Sequence, residues 1–176
     1  PSLIVALDVD TFAQAKKLVD KLYPLVKIFK VGSQLFTCAG PKSVEYIREK
    51  GAEVFLDLKF HDITNTVASA VRSAISLKVK MLTLHVSGGE DMLRVAVKAA
   101  AEESNRLKVK RPLLIGVTVL TSQDATPDDV LALARNAIDC GLDGVVCSVR
   151  EAKLLRQNIK KDFVIVTPGI RPDSAA

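Results

Sequence analysis

The stretch Val54-Phe-Leu-Asp-Leu-Lys-Phe-His-Asp-Ile63 begins as an apolar strand and ends in four ionisable residues, Asp57, Lys59, His61 and Asp62. Next-but-one side chains of a strand share a face, so Asp57 and Lys59 point together while Leu56 and Leu58 point the other way. A carboxylate and an ammonium at the end of a greasy strand are costly to bury unless they pair. The pair is therefore either a structural ion pair or a catalytic one. Which it is depends on whether other strands of the chain end in the same way.

Upstream, Ser2-Leu-Ile-Val-Ala-Leu7 is an apolar run of the kind covered on both faces, and it ends in Asp8-Val-Asp10. Thr11 is placed to cap a helix in which Phe12, Ala15, Leu18, Val19 and Leu22 recur at helical spacing. Residues 25–31 read as a second strand, with Lys30 near its end and Gly32 in the turn. Gly40-Pro41 then opens a short helix, with Val44 and Ile47 inward and Gly51 closing it.

Downstream, residues 64–77 carry the stripe Val67, Ala70, Val71, Ala74 and Ile75, a helix. Residues 80–86 are a fourth strand ending at His85, and residues 91–105 another helix. A fifth strand spans 112–120 and ends in Thr121-Ser122. Thr126-Pro-Asp-Asp129 has the cap, the proline and the acids of a helix start, and that helix runs to Cys140. A sixth strand at 143–147 ends at Ser148 and is followed by a short helix. A seventh at 163–167 leads into Pro168-Gly-Ile-Arg-Pro172.

Strands thus alternate with helices, and every connection has room for a crossover. Asp8-Val-Asp10 occupies the place where a nucleotide-binding G-x-G-x-x-G loop would follow the first strand. A doubly wound sheet is compatible with the alternation, but a closed eightfold barrel explains it better. The expected fold is an α/β (β/α)8 TIM barrel, one domain over 1–176 with about seven of its eight β/α units present. The last unit and part of the loops are expected to lie outside these residues.

A chain of 176 residues can bury a core without staples. With 48% hydrophobic and 26% charged residues, its composition is that of an ordinary globular domain. Cys38, Cys140 and Cys147 form an odd set without C-x-x-C spacing, which reads as core or near-core thiols in a reducing compartment. The 25 basic and 20 acidic residues leave a net charge of +5. That surplus attracts anions weakly and does not make a nucleic-acid binder. The one basic cluster, Lys108-Val-Lys-Arg111, reads as a solvated connection, and a phosphorylated metabolite suits the scattered lysines and arginines better. No apolar run approaches the roughly 20 residues of a bilayer span and no signal peptide opens the chain, so no membrane association and a cytoplasmic location are expected.

If the strands are parallel, their C-terminal ends share one rim, where barrel sites occur. The polar residues brought there are Asp8, Lys30, Asp57, Lys59, His85, Thr118 or Thr121, and Ser148. Two Asp and two Lys converging with a His exceed what a structural ion pair requires. Alternating carboxylates and ammoniums hold one another charged, giving a preorganised field rather than a free acid or base. A lysine between Asp57 and Asp62 could donate a proton to a developing carbanion, but would make a poor Schiff-base nucleophile. Asp8, Asp57, Asp62 and His85 could instead offer ligands to Mg²⁺. The lysines argue against it by occupying the space and neutralising the carboxylates, so no metal is expected. A non-enzymatic scaffold would leave the row of charges unexplained.

Asp57-Leu-Lys59-Phe-His-Asp62-Ile63 matches the D-x-K-x-x-D-I signature of the orotidine 5'-phosphate decarboxylases. The resemblance extends through Ile4-Val-Ala-Leu-Asp8, Phe29-Lys30-Val-Gly32, Leu84-His85, Val117-Thr-Val-Leu-Thr-Ser122, Gly141-Leu-Asp-Gly-Val-Val-Cys-Ser148 and Val166-Thr-Pro-Gly-Ile-Arg-Pro172. A sister family, 3-keto-gulonate-6-phosphate decarboxylase, uses a related constellation with Mg²⁺. The Thr-Ser ending of strand five and the Thr-Pro-Gly-Ile-Arg-Pro stretch resemble the orotidylate enzymes.

The resemblance implies cofactor-free decarboxylation of orotidine 5'-phosphate to UMP and CO₂ in de novo pyrimidine biosynthesis. It implies Lys59 as proton donor to C6, Asp57 facing the substrate carboxylate, and Lys30 linking Asp8 to Asp57, with Asp8 and Lys30 reaching the ribose. Thr121 or Ser122 would meet the pyrimidine edge, Ile63 would line an apolar pocket, and His85 joins the substrate-binding set. A homodimer is implied too, with Asp62 and Thr66 completing the neighbour's site. The family's phosphate-closing loop and phosphate-binding arginine are expected beyond Ala176, and Arg171 is read as structural or peripheral.

Overall fold

The computed structural model describes residues 2–119 and 125–170. Seven strands, β1 (Ile4–Ala6), β2 (Ile28–Gly32), β3 (Glu53–Phe60), β4 (Met81–His85), β5 (Leu113–Val117), β6 (Gly144–Val146) and β7 (Val164–Val166), form one sheet. Each pairs in parallel with the next in chain order. A doubly wound sheet reverses its strand order at a switch point, and this one does not. The connections carry α1 (Phe12–Leu22), α2 (Ser33–Ala39), α3 (Pro41–Glu49), α4 (Thr64–Ser76), α5 (Glu90–Leu107), α6 (Pro127–Asp139) and α7 (Val149–Asn158).

Two apolar cores follow from period 2 along the strands. Ile28, Phe55, Met81 and Ile115 pack inside, joined by Ile4, Leu113, Val146, Val164 and Val166. Every strand from first to last contributes to that one cluster, so the sheet curls around its own inner face in the manner of a barrel. The alternate residues, among them Phe29, Val31, Leu56, Leu82 and Leu114, are buried against helix residues such as Val19, Ile47, Val71 and Ala96. Each fully buried aliphatic side chain contributes about 1.5–3 kcal/mol, so this wall holds the strand ends in place.

Three helices begin with reciprocal caps, Thr11 with Gln14, Thr126 with Asp129 and Ser148 with Glu151. In each, a hydroxyl accepts an orphan N–H of the first turn and the third helical residue returns the bond. The expected caps at Thr11 and Thr126 are both present.

Other expectations shift. A strand from residue 25 does not form: Leu25 is 91% exposed and the Val26 amide donates to the Leu22 carbonyl, so the chain is still leaving α1. Where the sequence indicates one helix before Gly51 there are two. The unexpected α2 has no side-chain cap and only Leu35 buried, so it carries no periodic signal, and Gly40 (φ 57°) separates it from α3. Val86 leaves β4 for a single 3₁₀ turn, Val86–Gly88. The regular part of β5 ends at Val117, while Leu120, Thr121, Ser122 and Arg171 lie outside the described residues. Arg111 is not freely solvated but pairs with Asp143 at 2.7 Å, and the same carboxylate accepts the Leu114 amide. Cys140 and Cys147 are buried as expected, whereas Cys38 is exposed.

Candidate active site

Strand register assembles the charged row. Ala6 lies beside Lys30 and Gly32 beside Asp57, so Asp8, two residues past the end of β1, stands level with Gly32. Lys30, on the same inward face one step below, reaches both sides. Its Nζ is 2.9 Å from Asp8 Oδ1 and 3.8 Å from Asp57 Oδ2. Lys59 Nζ then donates to both oxygens of Asp57 at 2.9 Å. The result is the alternating series Asp8, Lys30, Asp57, Lys59. Exposure rises outward from its centre: the Asp57 side chain is 12% exposed, Lys30 22%, Lys59 35% and Asp8 60%. The series is thus rooted in the barrel and open at its rim.

The Asp57–Lys59 contact does not arise from a regular strand. β3 and β4 pair Leu56 with Leu82 and next Phe60 with Leu84. Asp57, Leu58 and Lys59 therefore bulge opposite Thr83 alone, and Lys59 takes a left-handed φ of 51°. For a residue with a side chain that conformation costs about 1–2 kcal/mol. Bulges of this kind re-aim side chains beside active sites, and strain is sustained where the surroundings over-determine it. Thr83 is fully buried and hydrogen-bonded to both residues of the pair. Sequence reasoning missed it. The available signal was its position two residues before His85, which puts both on the inner face of β4.

His85 is half-buried at the end of β4, its ring centroid 5.5 Å from that of His61. Burial, then the nearby His61 and Lys59 charges, lower its pKa below the ordinary imidazole value, with Asp57 opposing. It is therefore predominantly neutral at physiological pH and can both donate and accept a hydrogen bond.

Asp62 and Ile63 are exposed on the β3–α4 connection, and Thr66 is exposed in the first turn of α4. The Asp62 carboxylate accepts the Ile63 amide at 2.7 Å and, among the described residues, forms no ion pair with Lys59. Asp62 and Thr66 do line the same cleft as Lys59, a space of about 270 Å³ that Leu58 and Val67 also border. A wider depression of about 870 Å³ lies beside it, lined by His61, Asp62, Ile63, Gly88 and Met92, away from Asp57. Two rim candidates are occupied structurally: the Thr118 hydroxyl donates to the Val146 carbonyl, and Ser148 caps α7. Thr121 and Ser122 fall outside the described residues.

Chemically, the row offers a fixed ammonium next to a fixed carboxylate, with a second pair behind. Both oxygens of Asp57 face lysine Nζ atoms, and Lys30 stands between the two aspartates. Among the described residues no three of His, Cys, Asp and Glu converge as metal ligands would.

A parallel barrel whose strand ends hold such a row belongs to the class of TIM-barrel enzymes that act at the C-terminal rim. Within that class the chain is a member of the orotidine 5'-phosphate decarboxylase / HUMPS family, whose model matches residues 1–176. It is 47% identical to an orotidine 5'-phosphate decarboxylase of Moorella thermoacetica, over 97% of this chain and 72% of that protein. It is 48% identical to one from Vibrio cholerae, over 98% of this chain and 78% of that protein. Among solved structures, the crystal structure of orotidine 5'-phosphate decarboxylase from Lactobacillus acidophilus superposes with a TM-score of 0.89 at 38% identity. That match covers 97% of this chain and 82% of the other.

Proposed function

We infer that the chain catalyses decarboxylation of orotidine 5'-phosphate to UMP and CO₂, the carbon–carbon lyase step of de novo pyrimidine biosynthesis. The observation that carries this reading is the series Asp8, Lys30, Asp57, Lys59 at 2.9, 3.8 and 2.9 Å. When the bond between C6 and the carboxylate breaks, the electron pair stays on C6 and CO₂ departs. The Lys59 ammonium gives its proton to C6, and the amine regains one from solvent. Acid and field both come from side chains, so the reaction so written draws on no cofactor.

Asp57 faces the substrate carboxylate, where like charge disfavours the ground state. Lys30 holds Asp57 and Asp8 in line, and Asp8 and Lys30 reach the ribose hydroxyls. His85 contributes a neutral imidazole to the substrate-binding set, Ile63 lines an apolar pocket, and Thr121 or Ser122 meets the pyrimidine edge. Remote contacts to ribose and phosphate supply binding energy that is realised at the reacting carbon.

Asp62 and Thr66 act in a homodimer, each reaching the neighbour's site. Their exposure, and the lack among the described residues of an ion pair between Asp62 and Lys59 of the same chain, support this assignment. Among the described residues no helix is long and apolar enough to cross a membrane. The reading carries with it a cytoplasmic location, in keeping with unpaired cysteines.

The test is loss of orotidine 5'-phosphate absorbance with EDTA present, for the full-length protein and for Lys59→Ala. Turnover should survive EDTA and fall by about a hundredfold or more in the variant. No turnover by folded parent protein would sink the assignment and turn attention to Mg²⁺-dependent chemistry on other sugar phosphates.

A further inference from the structure

The geometry points to Thr83 as a positioning residue for this decarboxylation, one hydroxyl that holds the Asp57 carboxylate and the Lys59 backbone in fixed relation. This rests on the reading of Lys59 as proton donor.

The Val54 carbonyl accepts from the Lys80 amide on the β4 side, so in regular alternation along β3 the Lys59 amide would turn toward β2. The bulge turns it to the β4 side instead, because Asp57, Leu58 and Lys59 face Thr83 alone. The Thr83 side chain meets it there: the Lys59 N–H donates to Thr83 Oγ1 at 2.8 Å. A hydroxyl has a single proton, and here it is directed to Asp57 Oδ1 at 3.0 Å. Thr83 is 0% exposed, so bulk water does not compete for either bond.

The two bonds act on different parts of the machinery. The first stabilises the left-handed conformation of Lys59, which sets where its ammonium is delivered. The second restricts rotation of the carboxylate that the same ammonium bridges. Asp57 Oδ1 then takes Thr83 and Lys59, while Oδ2 takes Lys59 and faces Lys30. Threonine suits the task beyond its hydroxyl, since a β-branched side chain in a strand is stiff at χ1. Misplacement of a reacting group by about 1 Å can cost about a hundredfold in rate, so a residue that touches no substrate can still matter to turnover.

The experiment compares Thr83→Val, which keeps the shape and loses both bonds, with Thr83→Ser, which keeps both. The readouts are kcat for orotidine 5'-phosphate, the dissociation constant of UMP, and hydrogen exchange at the Lys59 amide. Thr83→Val should lower kcat by about tenfold or more while UMP affinity changes by less than about threefold, a split expected of a group acting on the transition state. The Lys59 amide should exchange faster in the same variant, and Thr83→Ser should stay within about threefold of the parent in kcat. A kcat for Thr83→Val within about twofold of the parent would overturn the proposal, as would an equal fall for Thr83→Ser. If Thr83→Val does not fold, Thr83→Ala carries the same thresholds. Because the parent must turn over orotidine 5'-phosphate before the variants are compared, failure of the decarboxylase reading is seen separately.

Discussion

Lys59 is a lysine in a left-handed backbone conformation inside a β-strand, and the candidate chemistry depends on that local irregularity. The rule that alternate residues share a face pairs Asp57 with Lys59, and the two do meet. They meet through a bulge, however, whose strain of about 1–2 kcal/mol is offset in part by hydrogen bonds worth about 0.5–1.5 kcal/mol each. Lys59→Ala is accordingly expected to lose turnover rather than fold, because Asp57 keeps Thr83 and Lys30 as neighbours. His85 carries a separate prediction. Its pKa is lowered from 6.5 in the folded protein, so on acidification the unfolded chain takes up the proton first. The stability lost to this group therefore appears as pH falls below 6.5 and is absent well above it. Denaturant midpoints at about pH 7.5 and about pH 5.5 should diverge more in the parent than in His85→Asn. Equal divergence in both would remove His85 as a source of the acid sensitivity.

Helix caps show which polar strand ends serve structure and which remain available for chemistry. Ser148 sits just past β6 on the C-terminal rim, yet its hydroxyl accepts the Glu151 amide and its own amide donates to the Glu151 carboxylate. Ser148→Ala is expected to cost about 1 kcal/mol of stability, read from the denaturation midpoint, with kcat within about twofold of the parent. A loss of turnover at unchanged stability would return Ser148 to the site. Asp8, Lys30, Asp57 and Lys59 form no such caps, and their polar atoms face one another across three strands. Among the elements, α1 and α6 were legible from cap and periodicity. α2 was not, since its position follows from the course of β2 and from Gly40 rather than from its own pattern.

At the scale of the whole molecule, consecutive parallel pairing brings residues from positions 8 to 85 to one rim. The proposed homodimer would extend the site further, since Asp62 makes no ion pair with Lys59 in its own chain among the described residues. Mixing Lys59→Ala with Asp62→Ala tests this directly. Random exchange makes half of the dimers mixed, and each mixed dimer has one intact site of two, so about a quarter of parental activity should return. Activity no greater than that of the two variants separately would place Asp62 outside the neighbour's site.

The sequence by itself determined the alternation of strands and helices, the caps that start α1 and α6, and the positions of the four charged residues at strand ends. Those properties are local, written in apolar period and in cap chemistry a few residues long. Tertiary structure alone decided that the strands pair in unbroken order and that Arg111 is claimed by Asp143. It also decided that Thr83, a polar residue in an apolar strand, faces the bulge and bonds to both Asp57 and Lys59. Each of these depends on the register between strands more than 20 residues apart, and that register is set by packing of the two cores rather than by any short run of residues.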